Sequence, residues 1–197
     1  MIKTGIFGGA FNPVHNGHIS LARQYMKYLE LDKIIFIPTC VPPHKSGDDL
    51  APGEDRINML RCALDCEEFV ISDLEFHRQG KSYTYDTLQE LKKTYKNDEL
   101  FLIVGSDQYF YFPNWYRAQD ILSEVTVVTS AREENEYNAL LEFRGRTPCM
   151  QNTVISNLDV FEASSTQIRN MIKSSKDVSN LVPSGVYEYI KEHKLYV

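Results

Sequence analysis

The sequence predicts an α/β fold, a parallel sheet doubly wound by helices on its two faces. Three observations carry that expectation. Apolar bursts alternate with amphipathic stretches through almost all of the 197 residues. The bursts are continuous apolar runs, the pattern of strands covered on both faces, which belongs to parallel sheets. The first of them, Ile6-Phe7, leads straight into Gly8-Gly9 and then into a helical pattern. Right-handed crossovers between such units give a Rossmann-like sheet, whose ligands bind beyond the carboxyl ends of the strands where the strand order reverses.

Taken in order, strands are expected at 3–7, 33–37, 69–72, 100–104, 125–129 and 154–156. Helical patterns lie near 17–30, 54–66, 84–96, 116–123 and 134–143, and a helical tail begins near 164. In the first helix Ile19, Leu21-Ala22, Tyr25-Met26 and Leu29 recur at helical spacing. Pro13 bars that helix from running back through the turn, and Asn16 is its expected cap. Gly8 and Gly9 let the backbone turn tightly and approach a ligand. One domain over 1–197 is expected, with the helical part from about 164 closing on it.

A net charge of −6 argues against broad binding to nucleic acid or to an anionic membrane, but not against a small phosphorylated substrate. Among four cysteines only Cys62 and Cys66 are close, and their spacing is not that of a zinc or redox pair. Reduced core thiols are expected. No cleavable leader is read, and no run approaches the roughly 18 apolar residues a membrane helix needs, so a cytoplasmic protein is expected.

The chemistry concentrates where a strand, a glycine turn and a helix meet. A helix N-terminus attracts anions through its unpaired N–H groups and its dipole. His15 stands just before that helix and His18 in its first turn, which makes both candidate phosphate ligands. His15-Asn16-Gly17-His18 resembles the HxGH signature of the nucleotidyltransferase superfamily, whose members join a nucleotide to a phosphate acceptor. Within it, the whole segment GIFGGAFNPVHNGH is similar to the bacterial nicotinate-mononucleotide adenylyltransferase family.

Further motifs follow in the order of that family. Pro42-Pro43-His44-Lys45 resembles its PPHK loop, and Ser82-Tyr83-Thr84-Tyr85-Asp86-Thr87-Leu88 its SYTxDTL run. Gly105-Ser106-Asp107 is similar to GxD, and Trp115-Tyr116 to a WY or WH pair. Ala163-Ser164-Ser165-Thr166-Gln167-Ile168-Arg169 resembles ISSTxIR, and the run 181–196 looks like the family's closing segment, for which only a packing role is expected.

The resemblance implies the nucleotidyltransferase fold and transfer of AMP from ATP to nicotinate mononucleotide, giving deamido-NAD and pyrophosphate in NAD biosynthesis. It implies that His18 is the leading transition-state ligand and His15 a phosphate binder, with Lys45 and Arg169 sharing the growing charge. ATP would meet Gly8, Gly9, Ala10, Phe11, His15, His18, Gly105, Asp107, Ser164, Ser165, Thr166 and Arg169. The nicotinate nucleotide would meet Gly8, Ala10, Lys45, Tyr83, Thr84, Trp115 and Tyr116. Backbone N–H groups of Thr84 and Tyr116 would take its carboxylate, and Trp115 would stack on its ring. Mg²⁺ is expected on the ATP phosphates, with no metal held by protein ligands alone.

Several positions depart from the family pattern. Ala10 removes a hydroxyl, Asn12 stands where Asp is frequent, and Ala163 replaces Ile. Arg132 follows the fifth strand where Arg-Pro-Gly is usual, which leaves its part in the adenine pocket open. On their residue types alone, Thr84 or Asp86 can equally cap a helix, and Phe110 and Phe112 belong to a core. Other acceptors, such as nicotinamide mononucleotide or phosphopantetheine, and a non-catalytic nucleotide sensor are the alternative readings. A nucleic-acid partner and a membrane are not expected, and a homo-oligomer stays open.

Overall fold

The structure is a computed structural model that describes residues 1–42, 50–131, 133–159, 161 and 163–197, without the side chain at position 134. Six strands run β1 (Lys3–Gly9), β2 (Lys33–Pro38), β3 (Phe69–Ile71), β4 (Glu99–Ile103), β5 (Thr126–Ser130) and β6 (Val154–Ser156). They form one parallel sheet in the order β3-β2-β1-β4-β5-β6. The order reverses between β1 and β4, as a doubly wound sheet requires.

Eight α-helices accompany the strands among the described residues: α1 (Asn16–Tyr28), α2 (Gly53–Ala63), α3 (Thr84–Thr94), α4 (Ser106–Tyr111), α5 (Ala118–Glu124), α6 (Glu134–Arg146), α7 (Ser165–Lys173) and α8 (Ser184–Glu192). Successive strand side chains point to opposite faces, so each continuous apolar run feeds two cores. Phe7, Ile34, Phe36 and Ile103 meet α1, α2, α7 and α8 through Tyr25, Met59, Ile168 and Val186. Ile6, Ile35, Ile37 and Leu102 meet α3 to α6 through Leu88, Tyr109, Ile121 and Leu140.

The expected strands and helices lie within a few residues of those found, but four readings need correction. The aromatic stretch after β4 contains α4, whose six residues are too few for periodicity to register. Phe112 is core as expected, and Phe110 packs edge-on against Phe143 at 5.3 Å. The cap of α1 is His15, not Asn16, because His18 supplies the reciprocal bond to its backbone. Likewise Tyr83, not Thr84 or Asp86, precedes α3. The cysteines are free but not core: Cys62, Cys66 and Cys149 are exposed, and Cys40 is half-buried.

The turn after β1 also differs in its cause. Gly8 and Gly9 continue the strand, and the left-handed backbone falls on Phe11, at φ 45°. A bulky residue is strained there, and persists only where its surroundings over-determine it. Phe11 is fully buried, with its ring edge-on to Phe7 at 5.7 Å and to His18 at 5.1 Å. Packing holds the turn, and the glycines serve another purpose.

Candidate active site

That purpose shows at the switch point. β1 pairs with β2 as far as Gly9↔Pro38, but with β4 only as far as Phe7↔Ile103. Beyond Phe7 the two central strands part, and a cleft opens between Gly8–Ala10 and Val104–Asp107. A Cβ added to Gly8 would meet nothing within 4 Å, so the glycine presents bare backbone to open space.

Two cavities share this cleft. The smaller, of about 270 Å³, is lined by Tyr83, Thr84, Trp115, Tyr116, Thr39 and Glu75. The broader, of about 1100 Å³, is lined by His15, His18, Ser164, Ser165, Thr166 and Arg169. Both touch Gly8, Ala10, Val104, Gly105 and Asp107. Gly9 lines the smaller and Phe11 the larger. The described residues expected for the nicotinate nucleotide all line the smaller chamber, and those expected for ATP, Gly9 excepted, line the broader one, the two sharing a floor. Lys45 and Arg132 lie outside the described residues.

The two histidines act as one unit. Their rings lie 3.7 Å apart, and His18 Nδ1 accepts the backbone N–H of His15 at 3.2 Å. With Nδ1 engaged as an acceptor, a neutral His18 carries its proton on Nε2. Burial, and then the nearby His15, hold the His18 pKa well below its usual value. In the ligand-free protein His18 is thus neutral at pH 7. Gly17 lets the pair stand so close, since a Cβ there would sit 3.0 Å from His15 Nδ1 and 3.0 Å from the Phe161 carbonyl.

α7 and its cap carry the second group of phosphate candidates, Ser164, Ser165, Thr166 and Arg169, and three of the four hold structure. Ser164 caps α7, its hydroxyl accepting the Gln167 N–H at 3.1 Å. Ser165 donates to the Pro13 carbonyl at 2.9 Å, and Arg169 Nη1 to the Asn12 carbonyl at 2.9 Å. Both thereby tie α7 to the turn after β1. Arg169 Nη2 also donates to the Thr166 hydroxyl at 3.4 Å, and both residues line the broad cavity. Among the described residues no group of three or more His, Cys, Asp or Glu could hold a metal ion.

In the smaller chamber Thr84 opens α3, so its N–H belongs to the first four, which have no acceptor within the helix. Trp115 lies on Phe112, with centroids 4.8 Å apart. Tyr116 is half exposed and meets the Tyr83 ring at 4.8 Å across the mouth.

Three contributors escape a sequence reading. Arg56 is buried and donates to the carbonyls of Ala10 at 2.9 Å, Thr39 at 2.7 Å and Ala51 at 3.0 Å. Burial pulls its pKa down, opposed by the charges of Cys40, Tyr196 and Glu75. Glu75, also buried, accepts from the Thr87 hydroxyl at 2.7 Å and the Cys40 N–H at 3.3 Å. Asn12 Oδ1 accepts from the Ala51 N–H and the Tyr196 hydroxyl, both at 2.9 Å. Nothing around Arg56 or Glu75 marks them in the sequence, whereas Asn12 lies inside the motif and needs only acceptor atoms, which Asp has too.

The chain matches a family model described as cytidylyltransferase-like over residues 6–171. It is 37% identical over 197 residues to nicotinate-nucleotide adenylyltransferase of Bacillus subtilis, covering all of this chain and 99% of that protein. The fold is shared with the nicotinic acid mononucleotide adenylyltransferase of Plasmodium falciparum, solved with NaAD and with APC. TM-scores are 0.80 and 0.78, at 19% and 18% identity, with this chain covered completely and 98% of each neighbour. The chain belongs to the cytidylyltransferase-like family, and within it to the nicotinate-nucleotide adenylyltransferases.

Proposed function

We propose that this enzyme transfers AMP from ATP to nicotinate mononucleotide, forming deamido-NAD and releasing pyrophosphate, within a single domain over 1–197. The observation that carries the reading is the shared floor of the two chambers at Gly8, Ala10 and Asp107. An acceptor held in the small chamber and ATP in the broad one meet there, the acceptor phosphate facing the α-phosphorus.

No covalent intermediate is needed, so catalysis is alignment plus charge stabilisation. The Nε2–H of His18 donates to the phosphate that gains charge, and His15 supports it. Arg169 and Lys45 offset the remaining charge. The N–H groups of Thr84 and Tyr116 take the nicotinate carboxylate, and Trp115 covers the ring. Asp107 accepts from ribose hydroxyls at the switch point. Mg²⁺ bound with ATP would neutralise part of the phosphate charge. This chain's part is to bind the phosphates themselves, through His15, His18, Lys45 and Arg169.

Incubation with ATP, Mg²⁺ and nicotinate mononucleotide tests the reading. Equal amounts of deamido-NAD and pyrophosphate support it. ATP binding with no product would favour a nucleotide sensor.

A further inference from the structure

The turn that floors both chambers is held from outside at three of its carbonyls. Arg56 holds Ala10, Arg169 holds Asn12, and Ser165 holds Pro13. The Asn12 side chain has two further anchors. Its Oδ1 accepts from the Ala51 N–H and from the hydroxyl of Tyr196, a residue beyond the last helix and 184 positions away in sequence.

The chain takes unfavourable backbone to deliver that hydroxyl. After α8, Lys194 (φ 50°) and Tyr196 (φ 64°) both occupy the left-handed region, and Leu195 donates back to the Ile190 carbonyl at 3.0 Å. A tyrosine is strained there, and the conformation is kept only where the surroundings require it. Its phenol lies close enough to Arg56 and Arg169 to feel both charges, so it sits among the groups that grip the turn. Tyr196 does not line either chamber, whereas Asn12 lines the broad one.

We infer that Tyr196 is a positioning residue: its hydroxyl fixes Asn12, and through it the backbone of 10–13 against which acceptor and ATP phosphates are aligned. The inference rests on the proposed reaction for its catalytic consequence but not for the tie itself. Alignment errors of an ångström are costly in rate, while the substrates keep most of their binding contacts. Loss of the hydroxyl should therefore show in kcat and not in KM.

Tyr196→Phe removes the hydroxyl and keeps the ring. Expected is a fall in kcat of about tenfold with KM for both substrates within about twofold and Tm unchanged. Amide exchange over 8–14 should quicken about tenfold, with the sheet core unaltered. Unchanged kcat and unchanged exchange would overturn the inference. So would a lowered Tm with exchange quickened throughout, the signature of a packing role only. If the wild-type enzyme turns over no acceptor, the proposed reaction fails, and the exchange measurement alone still decides whether Tyr196 holds the turn.

Discussion

His18 Nδ1 accepts the backbone N–H of His15 at 3.2 Å, which leaves Nε2 as the free face of the imidazole. The bond fixes ring orientation and tautomer before any ligand arrives. A second proton could enter only at Nδ1, where the His15 N–H already donates, so His18 stays neutral and donates through Nε2 when a triphosphate lies beside it. ATP binding at about pH 7.5 should therefore take up no proton at His18. Titration calorimetry in buffers of different ionisation enthalpy measures this, by comparing wild type with His18→Gln. Proton uptake present in wild type and absent in the variant would contradict it.

The depressed pKa of His18 has a consequence for stability. The folded pKa lies below the unfolded one, so between them the unfolded chain binds more protons. Stability is complete above the usual histidine value of 6.5 and is lost as pH falls below it. Urea unfolding at pH 7.5 and at about pH 5.5 should show the loss in wild type, and a smaller one in His18→Gln. Equal losses would show that other groups govern the acid limb.

Gly17→Ala tests the closeness of the histidine pair. The new methyl would stand 3.0 Å from His15 Nδ1, with the Phe161 carbonyl on its other side. Overpacking of this kind costs about 1–3 kcal/mol, and the displaced His15 ring should lower kcat about tenfold. Wild-type kcat in a stably folded variant would contradict the account.

Arg56 serves the site through geometry, since its fork reaches carbonyls from three separate segments. Lysine cannot reproduce a planar fork, so Arg56→Lys should lose about 2–3 kcal/mol of stability and part of kcat. Chemical unfolding measures the first. A change below about 0.5 kcal/mol, as for an ordinary surface substitution, would speak against the buried clamp.

Trp115 borders only the small chamber. Trp115→Ala should raise KM for nicotinate mononucleotide about tenfold and leave KM for ATP near its wild-type value. An equal rise in both would mean that the loop supports the whole cleft.

What the sequence discloses follows the physics of each feature. Continuous apolar strands such as Ile34–Ile37 announce a parallel sheet because both their faces are buried. The shared chamber of His15, His18 and the α7 residues was legible because those residue types stand at helix starts, where anion chemistry is expected. Arg56, Glu75 and Tyr196 are silent, since each acts through a long-range bond that no local pattern encodes. The glycine turn was legible in place but not in cause: Phe11 carries the left-handed backbone, and its packing partners come from three separate segments, β1, α1 and β2.

The most direct test of the central claim is pyrophosphate release with nicotinate mononucleotide, nicotinamide mononucleotide and phosphopantetheine in parallel, for wild type and His18→Ala. The account predicts turnover that strongly favours the nicotinate acceptor and falls about 10²- to 10³-fold in the variant. Preference for either other acceptor, or full activity without His18, would contradict it.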